Sequence, residues 1–263
     1  MRYKDVMQVM NSGVRGNLQK LKEFLTTLTD IDETDDVAEL TCLSWAVRQS
    51  KPWNSGSEMV SYLIYKGADV NPKKKVTFHN LLCCAANTGC IENAKALVDA
   101  GVVIECRSYS RSAPSLPAHG PPLFEAVAHP EMIQYLIEVG CNPHFITPEN
   151  NKTLLMHAAE RGYKDSVRVL LNAGVNPELK DDSGNTALDY AAVSNSNFSA
   201  EPYFNDPGIV ELIEAELQIR ELIRQERELA FAMAGHHRLG RDSGMASFDE
   251  GLFDIINQHG RFS

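Results

Sequence analysis

The sequence predicts an all-α solenoid of stacked helix-turn-helix units, extended at its C-terminus by further helix. Three observations carry this. The stretch NNKTLLMHAAERGYKDSVRVLLNAGVNPEL, residues 150–179, reads as two short helices, each followed by a glycine, Gly162 and Gly174. The same layout recurs along most of the chain. After its last occurrence, VELIEAELQIRELIRQERELAFAMAGHH has no proline or glycine before Gly235 and is rich in helix formers.

Each element of the unit has a physical reason. Leu155, Ala158 and Ala159 fall at i, i+3 and i+4, so they share one face of the first helix. Thr153 precedes them, where its hydroxyl can cap free backbone amides. Gly162 suits a left-handed helix end. The second helix carries Val167, Val169, Leu170 and Leu171 and stops at Gly174. VNPELKDDSGN then has turn chemistry. Other first helices read TCLSWAV from 41, NLLCCAA from 80, PPLFEAV from 121 and TALDYAA from 186. SEMVSYLIYKGADVN, GCIENAKALVDAGVVIE, PEMIQYLIEVGCNP and DPGIVELIEAEL supply the corresponding second helices. GNLQKLKEFL from Gly16, with VMQVM before it, makes an amino-terminal unit.

This pattern resembles the ankyrin repeat, whose units run T-P-L-H-x-A-A, a second helix and L-L-x-x-G-A-D-V-N. Residues 151–192 and YKGADVNP at 65–72 carry the resemblance best, with Met156 where the family has histidine. It implies a capping unit at 1–36 and repeats at about 37–72, 73–105, 106–145, 146–179 and 180–217, followed by a C-terminal helical extension at 218–263. One unit cannot bury its apolar face alone and must stack on neighbours. The aligned leucines 43, 82, 123, 155 and 188 are 39, 41, 32 and 33 residues apart. The two long intervals locate insertions, at RQSKPWNSGS between helices and at ECRSYSRSAPSLPAHGPP between repeats. A third, NSNFSAEPYFN, lies within the fifth unit.

Function follows from the face left over. Residues two, five and six positions after each aligned leucine point away from the core face. They include Trp45, Arg48, Asn87, Glu125, His129, His157, Glu160, Arg161 and Tyr190. By resemblance this row lines a concave groove that holds a partner protein. Aromatic and arginine anchors favour Trp45, Arg161 and Tyr190, although a large residue at the Trp45 position also fills space between neighbouring helices. The fingers between repeats add Lys73, Lys74 and Phe78, then Arg107, Tyr109 and Arg111. The resemblance further implies asparagine hydroxylation at Asn71, Asn142 and Asn176, which match the finger asparagine.

The extension places Leu212, Ala215, Ile219, Leu222, Leu229 and Met233 on one stripe, expected to cover the end of the stack as a cap. Glu226 interrupts that stripe as a coiled-coil seam. Farther on, Phe248, Leu252, Phe253 and Ile256 resemble the opening of an F-box, with Asp249 and Gly251 in place of its proline and glutamate. That tail would dock a ubiquitin ligase; otherwise it folds back on the long helix.

Composition excludes other classes. A net charge of −10 argues against nucleic acid, which needs a basic face. No stretch approaches the apolar length of a membrane span. His79, Cys83, Cys84 and Cys90 fit no zinc-finger spacing, and Cys83 and Cys84 sit at ordinary first-helix positions. No metal, cofactor or catalytic group is therefore expected, and the chain is read as a non-enzymatic monomer of the cytoplasm, with nuclear entry left open.

Overall fold

The computed structural model describes residues 22–23, 26, 30–32, 40–49, 56–71, 80–104, 121–197 and 207–237. Within them lie α1 (Cys42–Gln49), α2 (Gly56–Tyr65), α3 (Leu81–Thr88), α4 (Ile91–Asp99), α5 (Pro122–Glu125), α6 (Pro130–Glu138), α7 (Leu154–Glu160), α8 (Lys164–Asn172), α9 (Ala187–Asn197) and α10 (Pro207–His237). No strand occurs among the described residues; one isolated antiparallel bridge joins Ile146 and Thr153. The fold is all-α, as the sequence predicts.

The helices form two layers. The first helices of successive units, α1, α3, α5, α7 and α9, pack side by side as an inner row. The second helices, α2, α4, α6, α8 and α10, form an outer row, and each unit's pair is also in contact. One continuous core runs from Leu40 to Ile213. Leu43, Leu82, Leu123 and Leu155 are at most 2% exposed. Their counterpart Leu188 is only half-buried; among the described helices α9 has an inner neighbour on one side alone.

Local signals hold where expected. Thr153 Oγ1 accepts the Met156 amide at 3.2 Å, and Met156 Sδ accepts the Thr153 amide at 3.3 Å. Met156 thus closes the cap from the position where the family pattern has histidine. Gly162 and Gly174 have φ of 76° and 80°, the left-handed ends their type favours.

A buried polar pair shows how the layers are joined. Ser166, eleven residues after Leu155, donates from Oγ to the Val127 carbonyl of the preceding unit at 2.7 Å. Asn93, eleven residues after Leu82, is fully buried, yet neither its Oδ1 nor its Nδ2 has a hydrogen-bond partner among the described residues. An orphaned buried amide costs about 1–3 kcal/mol. Asn93→Leu, of similar volume, is therefore expected to stabilise the chain by about 1 kcal/mol. A rise in the urea midpoint checks this; a fall would mean that the amide is satisfied in solution.

The end of the array departs from expectation. α10 runs unbroken through the boundary expected at 217. Its first two turns take the outer place of the fifth unit, with Ile209 and Ile213 at most 3% exposed. Of the stripe expected to cap the stack, Leu212 packs against the core, while Ile219, Leu222 and Leu229 are 39%, 55% and 55% exposed. At 100° per residue Leu222 and Leu229 lie far round the helix from Ile209 and Ile213. What holds α10 is Ile209 and Ile213, with Val210, Leu212 and Leu217 packed beside them, together with Arg220, which bonds Glu216 at 2.6 Å and the Gly174 and Val175 carbonyls at 3.3 and 3.2 Å. Arg224 adds a contact to Glu178 at 3.2 Å.

Candidate functional site

The concave face deepens around α5. Between Leu123 and Gly140 there are 17 positions, against 19 between Leu155 and Gly174. The shortfall leaves α5 a single helical turn, followed by a turn at 126–128 and by Pro130, which starts α6. Beside this shortened helix lies a cavity of about 600 Å³. Asn87 of the preceding unit lines it, with Phe124, Glu125, Val127 and Ala128 of the middle one. His157, Glu160, Arg161 and Tyr163 close it from the next unit, and Thr147, Glu149, Asn150 and Lys152 from the finger between.

Hydrogen bonds order its walls. Asn87 Nδ2 donates to Glu125 Oε2 at 3.1 Å. Asn87 O also lies 3.2 Å from His129 Nε2. The His129 ring lies over Gly89, where a Cβ would come within 2.6 Å of Nδ1, so that position demands glycine for space as well as for its φ of 69°. On the far wall Lys152 Nζ bonds Glu160 at 2.6 Å and lies 4.0 Å from the centre of the Tyr190 ring. Tyr190 donates its hydroxyl to Asp181 at 2.6 Å, which pushes its pKa up to about 12. The finger is set by Thr147, whose Oγ1 accepts the Lys152 amide at 2.8 Å. Asn151 Nδ2 ties it to Asp182 of the next finger at 2.6 Å.

His157 forms part of the floor. Its ring is 5.9 Å from that of Phe124, which meets Phe145 edge-on at 5.8 Å. Burial, then the positive charges of Arg161 and Lys152, lower its pKa to about 4, against the pull of Glu160 and Glu125. At neutral pH it is an uncharged imidazole, and its 3.8 Å approach to Glu160 is no ion pair. The Arg161 guanidinium stands exposed at the rim, with no ion-pair partner among the described residues.

The expected row is thus partly gathered. Asn87, Glu125, His157, Glu160 and Arg161 line the cavity, while His129 and Tyr190 brace its walls. Arg48 is exposed but away from the cavity. Trp45 must be withdrawn as a contact residue: it is 4% exposed, because its position faces the neighbouring inner helix and a large ring fills that space. Lys73, Lys74, Phe78, Arg107, Tyr109 and Arg111 lie outside the described residues, as do Phe248, Leu252, Phe253 and Ile256. Asn142 and Asn176 accept the His144 and Glu178 amides through Oδ1. Asn71 bridges two fingers, donating to Gly101 O and accepting the Val103 amide, each at 2.8 Å. Sequence reasoning missed Phe124, Tyr163 and the finger residues Thr147 to Lys152. The only signal for the finger was its place between repeats, since it carries no insertion.

Among the described residues no cluster of histidine, cysteine and carboxylate could hold a metal, and no helix is long and apolar enough to cross a membrane. Residues 123–201 match the family model of ankyrin repeats in three copies, and residues 39–75 match that of the single ankyrin repeat. These segments are ankyrin repeats. Between them, α3 and α4 repeat the same pair of helices. Repeats of this family are typically non-catalytic interaction modules and imply protein partners.

Three relatives are similar over the repeats. The probable E3 ubiquitin-protein ligase XBOS34 of Oryza sativa subsp. japonica is 40% identical over 74 residues, 27% of this chain and 14% of the relative. The E3 ubiquitin-protein ligase hecd-1 of Caenorhabditis elegans is 41% identical over 61 residues, 23% of this chain and 2% of the relative. Ankyrin repeat domain-containing protein 63 of Homo sapiens is 29% identical over 110 residues, 41% of this chain and 28% of the relative. The chain therefore spans less than a third of each relative's length.

Proposed function

We propose that the chain is a non-catalytic scaffold that holds a partner protein in the groove centred on α5. The observation that carries this reading is the cavity itself, to which three successive units contribute Asn87, Glu125, His157, Glu160 and Arg161, and the finger between the last two contributes Lys152. A wall of stacked helices offers such a surface preorganised, so little ordering entropy is lost on binding. Arg161 is the anchor, a guanidinium with no ion-pair partner among the described residues, lining the same cavity as Phe124 and Tyr163. The finger residues 73–78 and 107–111 extend the contact, and Asn71, Asn142 and Asn176 are the positions for hydroxylation. The setting is the cytoplasm.

A second reading makes the chain a substrate adaptor of a ubiquitin ligase. Two relatives named as ubiquitin ligases match its repeats, and Phe248, Leu252, Phe253 and Ile256 have F-box-like spacing. The two readings separate in a paired affinity purification from cell lysate, comparing the full chain with one ending at Gly244. The scaffold reading expects the same partners from both. Ligase components recovered with the full chain and lost with the shorter one would favour the adaptor.

A further inference from the structure

We propose, on the reading of the groove around α5 as the working surface, that its occupant is an extended partner segment. It carries an acid and a base four residues apart, with an apolar residue midway. The charges of the lining point to this. Glu125, Glu149 and Glu160 stand with Lys152 and Arg161, three acids against two bases. Lys152 and Glu160 cancel, bonded to each other at 2.6 Å. Glu125 accepts the Asn87 amide and is half-buried. Glu149 and Arg161 are different: both are exposed, and neither side chain has an ion-pair or hydrogen-bond partner among the described residues. His157, midway along α7 and uncharged at neutral pH, gives the cavity a floor without charge, with the Phe124 ring 5.9 Å from its own.

The fold sets these two charges apart. Glu149 belongs to the finger that leads into α7, and Arg161 is the residue at the far end of that helix. The seven residues of α7 separate them, about 10 Å at 1.5 Å per residue. One residue of a partner carries one charge, so the occupant needs two. In an extended segment alternate side chains point the same way, at about 3.3 Å per residue. Its first, third and fifth residues therefore face the groove and span about 13 Å. The outer two meet the rim charges, and the third meets Phe124 and His157. Arg161 takes the acid, since a guanidinium offers a carboxylate two parallel N–H donors. Glu149 takes a lysine or an arginine. A purely acidic segment would meet three carboxylates in a chain of net charge −10, and a purely basic one would meet Arg161. Complementarity of this kind selects partners by excluding like charges.

The test is selection of a random-peptide phage library on the full chain and on two single-residue variants. The parent should enrich peptides with one acid and one base four residues apart, in either order, and an apolar residue midway. Arg161→Glu, which leaves two acidic ends, should enrich two bases at that spacing, and Glu149→Lys two acids. Both positions are exposed, so the helical circular dichroism of each variant should equal that of the parent. A synthetic peptide from the parent selection should bind Arg161→Glu at least about tenfold more weakly. Replacing the acid of that peptide by lysine should restore its affinity. Ala128→Trp, which fills the cavity from an exposed position and leaves its charges in place, should bind none of these peptides. Enriched peptides that lack the charge pair, yet still fail on Ala128→Trp, overturn the proposal and leave the groove in place. Peptides that bind Ala128→Trp as well as the parent overturn both. A library that yields no peptide above background overturns the linear segment alone, since capture of the folded partner still tests the groove.

Discussion

Leu155→Ala is expected to destabilise the chain by about 3 kcal/mol, within the range of buried leucine truncations. Leu155 has no exposed surface and sits in α7, which packs against α5, α8 and α9. The lost methyl groups leave a cavity that the stacked neighbours cannot collapse into without shifting the inner row. Because an array of repeats is stabilised by the contacts of each unit with the next, damage at α7 weakens the coupling on both sides. Val103, 54% exposed on a finger, is the control, and Val103→Ala should change stability by less than about 0.5 kcal/mol. Urea unfolding checks both. Equal midpoints for the two variants would show that α7 is not packed as described.

The second large effect is one of pH. In the unfolded chain His157 titrates near its ordinary value of 6.5, and in the folded chain at about 4. Between these values the unfolded chain binds a proton that the folded chain excludes. Stability must therefore fall as the pH drops from 6.5 towards 4, by up to about 3 kcal/mol. The strained form is the charged imidazole, enclosed beside Phe124 with Lys152 and Arg161 near it. His157→Gln cannot take up that proton, so its stability should be nearly flat across the window. Midpoints of urea unfolding at pH values above, within and below the window measure this. A slope identical in parent and variant would mean that the ring is hydrated and titrates normally.

How much could be read from the chain alone depended on the distance over which each feature is decided. Thr153, Gly162 and Gly174 act within one turn of their own helix, and the structure gives each its expected role. The row containing Asn87, His157 and Arg161 is a matter of helical period, and that too was legible. Trp45 shares the period but not the exposure: it lies on a helix packed against the next unit's first helix and is buried in the core. Lys152 and Phe124 were out of reach for the same reason. Lys152 meets Glu160 and Tyr190 only once the finger folds back on α7, and Phe124 meets His157 only once two units stack. The stripe on α10 was correctly read as apolar; the direction in which it faces is a tertiary property that period alone does not contain.

The claim that the groove around α5 is the working surface is tested most directly by comparing three forms of the full chain in quantitative affinity capture. They are the parent, the groove variant Arg161→Glu, and the outer-row variant Lys95→Glu, whose position on α4 lies on the opposite layer. The predicted result is a partner bound at least about tenfold more weakly by Arg161→Glu, the effect of replacing an arginine anchor by a charge of opposite sign, and kept by Lys95→Glu. A partner retained by Arg161→Glu and lost by Lys95→Glu would contradict the account and move the interface to the convex face.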